Sequence, residues 1–159
     1  MSLIIEEEIT KRLTAQFPEL KMGVPVHNRI SLAAPLHSLP ALATHLRDIE
    51  GFDHVTSVTG IDYPDKDLFT VTYHLGAYAK LPMRRLVLSV SVDLPRQNAK
   101  LPSLVSIWPS AEYHERETHE MLGIAFQDHP NLNLLLLPED WADLPPLRKD
   151  FKLKGHGGR

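Results

Sequence analysis

Ile5, Ile9, Leu13 and Phe17 recur every fourth residue among Glu6, Glu7, Lys11 and Arg12, the spacing of an amphipathic helix with one apolar stripe. Pro18 ends it, because a proline has no N–H for the next turn. Val26, Asn28, Ile30 and Leu32 alternate with their neighbours and predict a short strand that Pro35 closes. Ser38 reads as the N-cap of a second helix, with Pro40 in its first turn and Leu39, Leu42, Leu46 and Ile49 on its buried face. Gly51 is the expected stop. Three strands follow. The stretch from His54 to Asp62 has the weakest pattern; Phe69, Val71, Tyr73 and Leu75 alternate with Thr70, Thr72 and His74, and Leu86, Leu88, Val90 and Val92 alternate with Val87, Ser89, Ser91 and Asp93. Such alternation suits an antiparallel sheet with one buried face. Pro64 and the aspartates up to Asp67 supply one turn, and the stretch from Gly76 to Pro82 a longer connection.

After Asp93 the pattern breaks around Pro95, Pro102 and Pro109. A helix is predicted from about Ser110 to Leu122, closed by Gly123 as the left-handed residue past its end. Beyond it Leu132, Leu134 to Leu137, Trp141, Leu144 and Leu147 lie among Pro130, Pro138, Pro145 and Pro146. That segment is too rich in proline for a helix and too apolar for disorder, so it is expected to lie extended across a surface. The order of elements predicts an α+β fold: a mixed, largely antiparallel sheet of about four strands with helices packed on it and an extended C-terminal tail. The expected division is residues 1–130 for the domain and 131–159 for the tail, with the glycine-rich end from Gly155 to Arg159 frayed.

Composition narrows the chemistry. At 159 residues the chain suffices for one core. Its 17 basic and 20 acidic residues leave a net charge of -3 and no basic stripe, which argues against nucleic acid. There is no cysteine, so thiolate catalysis, disulfides and Cys-ligated iron–sulfur clusters are excluded from this chain. No apolar run approaches the ~20 residues of a membrane span, and Glu6, Glu7 and Glu8 stand where a signal peptide would be basic. A soluble chain is expected.

The densest charge lies in the predicted helix, His114-Glu115-Arg116-Glu117-Thr118-His119. Its two histidines are five apart, roughly 140° around a helix at ~100° per residue, and cannot grip one metal as a pair four apart would. Glu115 and His119 do sit four apart, and with His129 they define one alternative, a stand-alone metal-dependent enzyme. Glu112 with Arg116 and Arg116 with Glu120 have the spacing of helix-stabilising pairs, each contributing only ~0.3–0.5 kcal/mol when exposed. The face is therefore either solvated or a polar network buried against another protein. Asp62, Asp65 and Asp67 read as a hairpin turn rather than a calcium site. No Walker loop or dinucleotide glycine fingerprint occurs.

From Trp108 onward the sequence WPSAEYHERETHEMLGIAFQDHPNLNLLLLPEDW, followed by PLRKDF, resembles the 30 kDa subunit family of respiratory complex I, the NADH-quinone oxidoreductase. Glu115, Arg116, Glu117, Glu120, Gly123, Ile124, Phe126, His129 and Pro130 fill the family signature, Leu135 to Trp141 and Pro146 to Phe151 follow in order, and Ile61-Asp62-Tyr63 matches more loosely. Asn131, Asn133 with Leu134, and His119 depart from it, which bears on the subtype, since membrane-bound hydrogenases and complexes that oxidise other reduced carriers share the same domain. The resemblance implies a non-catalytic component of the peripheral arm of a proton-translocating NADH:quinone oxidoreductase, on the cytoplasmic side of the membrane and held there by its neighbours. It implies no cofactor on this chain, with NADH, FMN, iron–sulfur clusters and quinone all handled by other subunits. The implied partners are the large quinone-site subunit and neighbouring iron–sulfur subunits. The interface residues it implies are the nine signature residues with Leu135, Trp141, Arg148, Lys149, Asp150 and Phe151. Glu115, Arg116 and Glu117 would pair with charges of the large neighbour, and Arg116→Ala would strand a buried carboxylate at about 3–5 kcal/mol if fully desolvated. The tail of an isolated chain is expected to be mobile or carried by another molecule.

Overall fold

A computed structural model describes residues 3–152. Helix α1 spans Ile4–Gln16 and buries Ile9 and Leu13 as the four-residue spacing requires. Strand β1 is the short Lys21–Met22, and β2 is Arg29–Ala33 with Ile30 and Leu32 turned inward. Val26 and Asn28 are not in that strand. They form a tight turn in which Val26 and Arg29 exchange backbone bonds and Asn28 takes φ 62°. The Asn28 amide donates to the buried Glu6 carboxylate at 2.8 Å.

A 3-10 turn, Leu36–Ser38, leads into α2, Leu39–His45. Ser38 does not cap it; its hydroxyl donates back to Pro35 O at 3.0 Å. The helix ends in a π turn, Leu46–Glu50, with Gly51 at φ 87°. Both Gly51 N–H and Phe52 N–H reach Leu46 O at 2.9 Å. The wider turn rotates Ile49 off the predicted face into solvent and puts Phe52 inside.

Strands β4 (Leu68–Gly76) and β5 (Val87–Pro95) match the expected alternation, while β3 (His54–Tyr63), where the pattern is weakest, buries only Val55 and Asp62. The five-stranded sheet has the order β1-β2-β5-β4-β3. Only β2 with β5 is parallel; β1 with β2, β4 with β5 and β3 with β4 are antiparallel. The inner face carries Phe69, Val71, Tyr73, Leu75, Leu88, Val90 and Val92, under α1 and α2, with Trp108 donating its indole N–H to Phe52 O at 2.8 Å. Each such side chain contributes on the order of 1.5–3 kcal/mol by leaving water. The outer face is hydroxylic, with Thr72 bonded to Ser91 at 2.9 Å and His74 to Ser89 at 3.0 Å.

The irregular region also holds a small second sheet, where β6 (Lys100–Pro102) pairs in parallel with β7 (Ala125–Gln127). Between them a 3-10 turn, Pro109–Ala111, feeds α3, Glu112–Leu122. Helix α3 covers the edge strand β3. Ser110 Oγ accepts Val55 N–H at 2.9 Å, and Gly60 lets the helix approach so closely that a Cβ there would sit 2.3 Å from Leu122 Cδ1. The predicted tail carries no helix or strand from 131 to 152 and is laid along its own α3 and β3. The expected fraying of residues 155–159 lies outside the described residues.

Candidate partner-docking site

The charged residues of α3 do not share one role. Glu115 points inward and is fully buried. Its carboxylate accepts Tyr73 Oη–H at 2.8 Å, Leu104 N–H at 2.8 Å and Ser103 Oγ–H at 2.6 Å. Burial pushes its carboxyl above the ordinary range, against the pull of Ser103, Leu104 and Tyr73. Burial and the adjacent Glu115 charge likewise hold the Tyr73 phenol well above its usual value. Glu115 therefore ties α3 to the core strand β4 and to the loop after β6, and the expectation that it meets a foreign charge is corrected. Ile124 and Phe126, the latter in β7, are likewise buried core residues. A motif match identifies residue types; it does not tell which of them face out.

Arg116 also finds its partners on its own chain. Its guanidinium donates from Nε to Asn133 O and from Nη2 to Leu134 O, the latter at 2.7 Å. The buried Glu120 feels its charge but is held by three tail amides of its own, so Arg116→Ala strands no unpaired carboxylate and the reason for the 3–5 kcal/mol loss expected above is removed. Glu120 is buried and accepts three successive tail amides, Leu135 N–H at 3.0 Å, Leu136 N–H at 3.0 Å and Leu137 N–H at 2.7 Å. Burial alone would raise its pKa, yet the bonds from Leu137, Leu136 and Leu135 hold the carboxyl below its ordinary value. Glu117 is exposed, as are Pro130 and Leu135, while His129 is half-buried.

His129 organises the entry to the tail. Its Nε2–H donates to Glu112 O at 3.0 Å while Nδ1 accepts Asn131 N–H at 3.0 Å, and Asn131 Oδ1 accepts Asn133 N–H at 3.0 Å. His119 Nδ1–H donates to Ile124 O at 2.8 Å. The three residues of the metal-enzyme alternative thus serve three different hydrogen-bonded corners. Among the described residues no group of three or more His, Asp or Glu is placed to hold a metal.

Farther along, Leu147 N–H returns to Met121 O at 3.0 Å, and Pro145 crosses Gly123, where a Cβ would meet Pro145 Cγ at 3.1 Å. Gly123 has φ 75°, so glycine serves there both as helix stop and as clearance for the tail. The end of the described tail is fastened by Asp62, expected in a turn but placed in β3, and by Arg96, which belongs to no motif. Asp62, buried, accepts Arg96 Nε–H at 2.8 Å and Lys149 N–H at 2.8 Å. Arg96 also pairs with Asp150 at 3.0 Å, and Arg148 with Asp150 at 3.2 Å. Burial acts to raise the Asp62 carboxyl, but Arg96 and the Lys149 amide hold it below the ordinary range. Trp141 and Phe151 stack loosely at 6.0 Å between ring centroids. The clue to Asp62 was its parity: past the bulge at Val55/Ser57 it shares the inner face with Val58 and Gly60.

Alongside exposed charges such as Glu139, Asp140 and Lys149, the tail turns a set of leucines outward. Leu134, Leu135, Leu136, Leu144 and Leu147 are exposed, Leu136 to 61% and Leu147 to 62%. Large exposed apolar groups gathered on one segment are candidates for contact with another protein.

The family described as respiratory-chain NADH dehydrogenase, 30 kDa subunit, matches residues 32–157. An NADH-quinone oxidoreductase subunit of Moorella thermoacetica is 36% identical over 154 residues, covering 96% of this chain and 99% of its own. An F(420)H(2) dehydrogenase subunit of Methanosarcina mazei is 36% identical over 146 residues, 91% of this chain and 90% of its own. Among solved structures, a chain of the membrane-bound sulfane sulfur reductase, an archaeal respiratory membrane complex, superposes with a TM-score of 0.82 at 22% identity over 93% of this chain and 86% of that one. A trypsin-resistant fragment of Nqo5 gives 0.67 at 22% identity over 80% of this chain and 99% of the fragment. These two likenesses establish the fold.

Proposed function

Since the chain belongs to the 30 kDa subunit family of respiratory-chain NADH dehydrogenase, we propose that it is a non-catalytic peripheral-arm component of a complex I-like oxidoreductase. It docks on the large quinone-site subunit and helps assemble the electron-transfer arm, with FMN and iron–sulfur clusters carried by its neighbours. The observation that carries this reading is the run of outward leucines on a tail several of whose backbone amides are already bonded to its own chain. A chain without cysteine cannot ligate a Cys-bound cluster. No helix among the described residues is long and apolar enough to cross a membrane, so attachment to the cytoplasmic face would run through other subunits. The proposed contact set narrows to residues that the fold leaves at least partly accessible: Arg116, Glu117, Gly123, His129, Pro130, Leu135, Trp141, Arg148, Lys149, Asp150 and Phe151 from the motif, joined by Leu134, Leu136, Leu144 and Leu147.

An equivalent place in a complex fed by another carrier is the second reading, favoured by the 36% identity to the Methanosarcina protein. Affinity purification of the full chain from native membranes distinguishes them. Recovery of a large subunit with flavin and iron–sulfur absorbance supports the first, a partner set with a different electron-input module supports the second, and a chain that emerges alone contradicts both.

A further inference from the structure

Much of the tail is held through its main chain, with the Arg96–Asp150 ion pair and Arg148 over the Phe69 ring adding side-chain contacts near its end. Glu120 takes the amides of Leu135, Leu136 and Leu137, Asp62 takes that of Lys149, Met121 O takes that of Leu147, and Arg116 donates to the carbonyls of Asn133 and Leu134. Main-chain bonding fixes the path of a segment without using its side chains, so the leucines are free to face outward. Two of the anchors, Glu120 and Asp62, are buried carboxylates on the domain, which makes each a strong acceptor in a poorly hydrated place. Between them Pro145 passes over Gly123 within van der Waals reach of its backbone.

We propose that residues 131–152 are a preformed strap, fastened to this chain before assembly by Glu120 at one end and Asp62 at the other, which presents a leucine ridge to an apolar groove with a cationic rim on the partner. The cationic rim follows from Glu139 and Asp140, exposed beside Leu134 to Leu137. A ridge ordered in advance binds without the entropic cost of folding a loose segment on contact. The proposal rests on the function proposed above for the existence of the partner but not for the state of the strap.

Hydrogen exchange on the isolated full chain tests the strap by itself. The amides of Leu135, Leu136, Leu137 and Lys149 are expected to exchange far more slowly than in an unstructured peptide. Glu120→Gln should speed the first three by about tenfold or more, and Asp62→Asn should do the same at Lys149, the scale of one charge-assisted bond. Amides of β4 serve as the folding control; if Glu120→Gln disturbs them, Asp62→Asn decides. Free exchange at all four wild-type amides would overturn the strap and leave the proposed function intact. Protected amides in a chain that co-purifies with nothing would overturn the partner instead. In native membranes the double variant Leu136→Asp with Leu147→Asp should keep its amide protection yet lose its co-purifying subunits, and Glu139→Lys with Asp140→Lys should lower their recovery. Normal recovery of the first variant would refute the leucine ridge, and normal recovery of the second would refute the cationic rim.

Discussion

Glu115 and Arg116 are neighbours in sequence with opposite duties. Glu115→Ala removes the acceptor for three donors, and each buried donor left unpaired costs about 1–3 kcal/mol. Urea unfolding should therefore show a large loss of stability, with Glu115→Gln, which keeps one acceptor oxygen, intermediate. Arg116→Ala should cost only about 1 kcal/mol in the isolated chain, because its bonds lie at the surface, and Arg116→Lys should not restore it, since an ammonium cannot reproduce the two-pronged donor. Amide exchange at Leu134 to Leu137 would report that difference. The residue types of this motif were legible in the sequence; their directions were not. A helix with charge on every side gives no apolar stripe to orient it, and Tyr73, which turns Glu115 inward, is 42 residues distant. The same limit hid the bond between Asp62 and Arg96, 34 residues apart, although the strand parity of Asp62 hinted at burial.

Elements with regular periods are legible in the sequence, and those built on exceptions are not. Strands β4 and β5 declare themselves through alternation because one sheet face is packed and the other carries Thr, Ser and His. Strands β1, β6 and β7 are two or three residues long, too short to show any period. The π turn after α2 displaced Ile49 because an extra backbone residue per turn breaks the spacing on which the buried face was drawn. Gly123 was legible as a stop but not as the place where the tail crosses. Gly123→Ala should lower stability by about 1–2 kcal/mol from the left-handed backbone alone, and pressure on Pro145 should make it also loosen the tail. Comparing thermal unfolding with amide exchange at Leu147 separates the two effects. Unchanged exchange there would mean that the crossing does not hold the tail.

At the scale of the whole molecule the core carboxyl Glu115 and the carboxyls that hold the strap respond oppositely to acid. Asp62, Glu120 and Asp150 have carboxyls held below their ordinary values, so what they contribute is present above the unfolded values of 3.8 and 4.5 and is lost as pH falls through their folded values. Glu115 has the reverse sign: its contribution is fully present below 4.5 and declines as pH rises through its raised folded value. The strap should therefore detach on acidification before the core melts. The two tryptophans report it separately, Trp141 in the strap and Trp108 in the core. In single-tryptophan variants, Trp141 emission should change at higher pH than Trp108 emission, and coincident transitions would count against independent fastening. The proposed function stands above all on the leucine ridge being covered by another protein of the complex. A photo-crosslinking residue placed at position 136 or 147 and irradiated in native membranes measures that contact directly. Crosslinks to the large quinone-site subunit are the predicted result; crosslinks confined to this chain, or none, would contradict it.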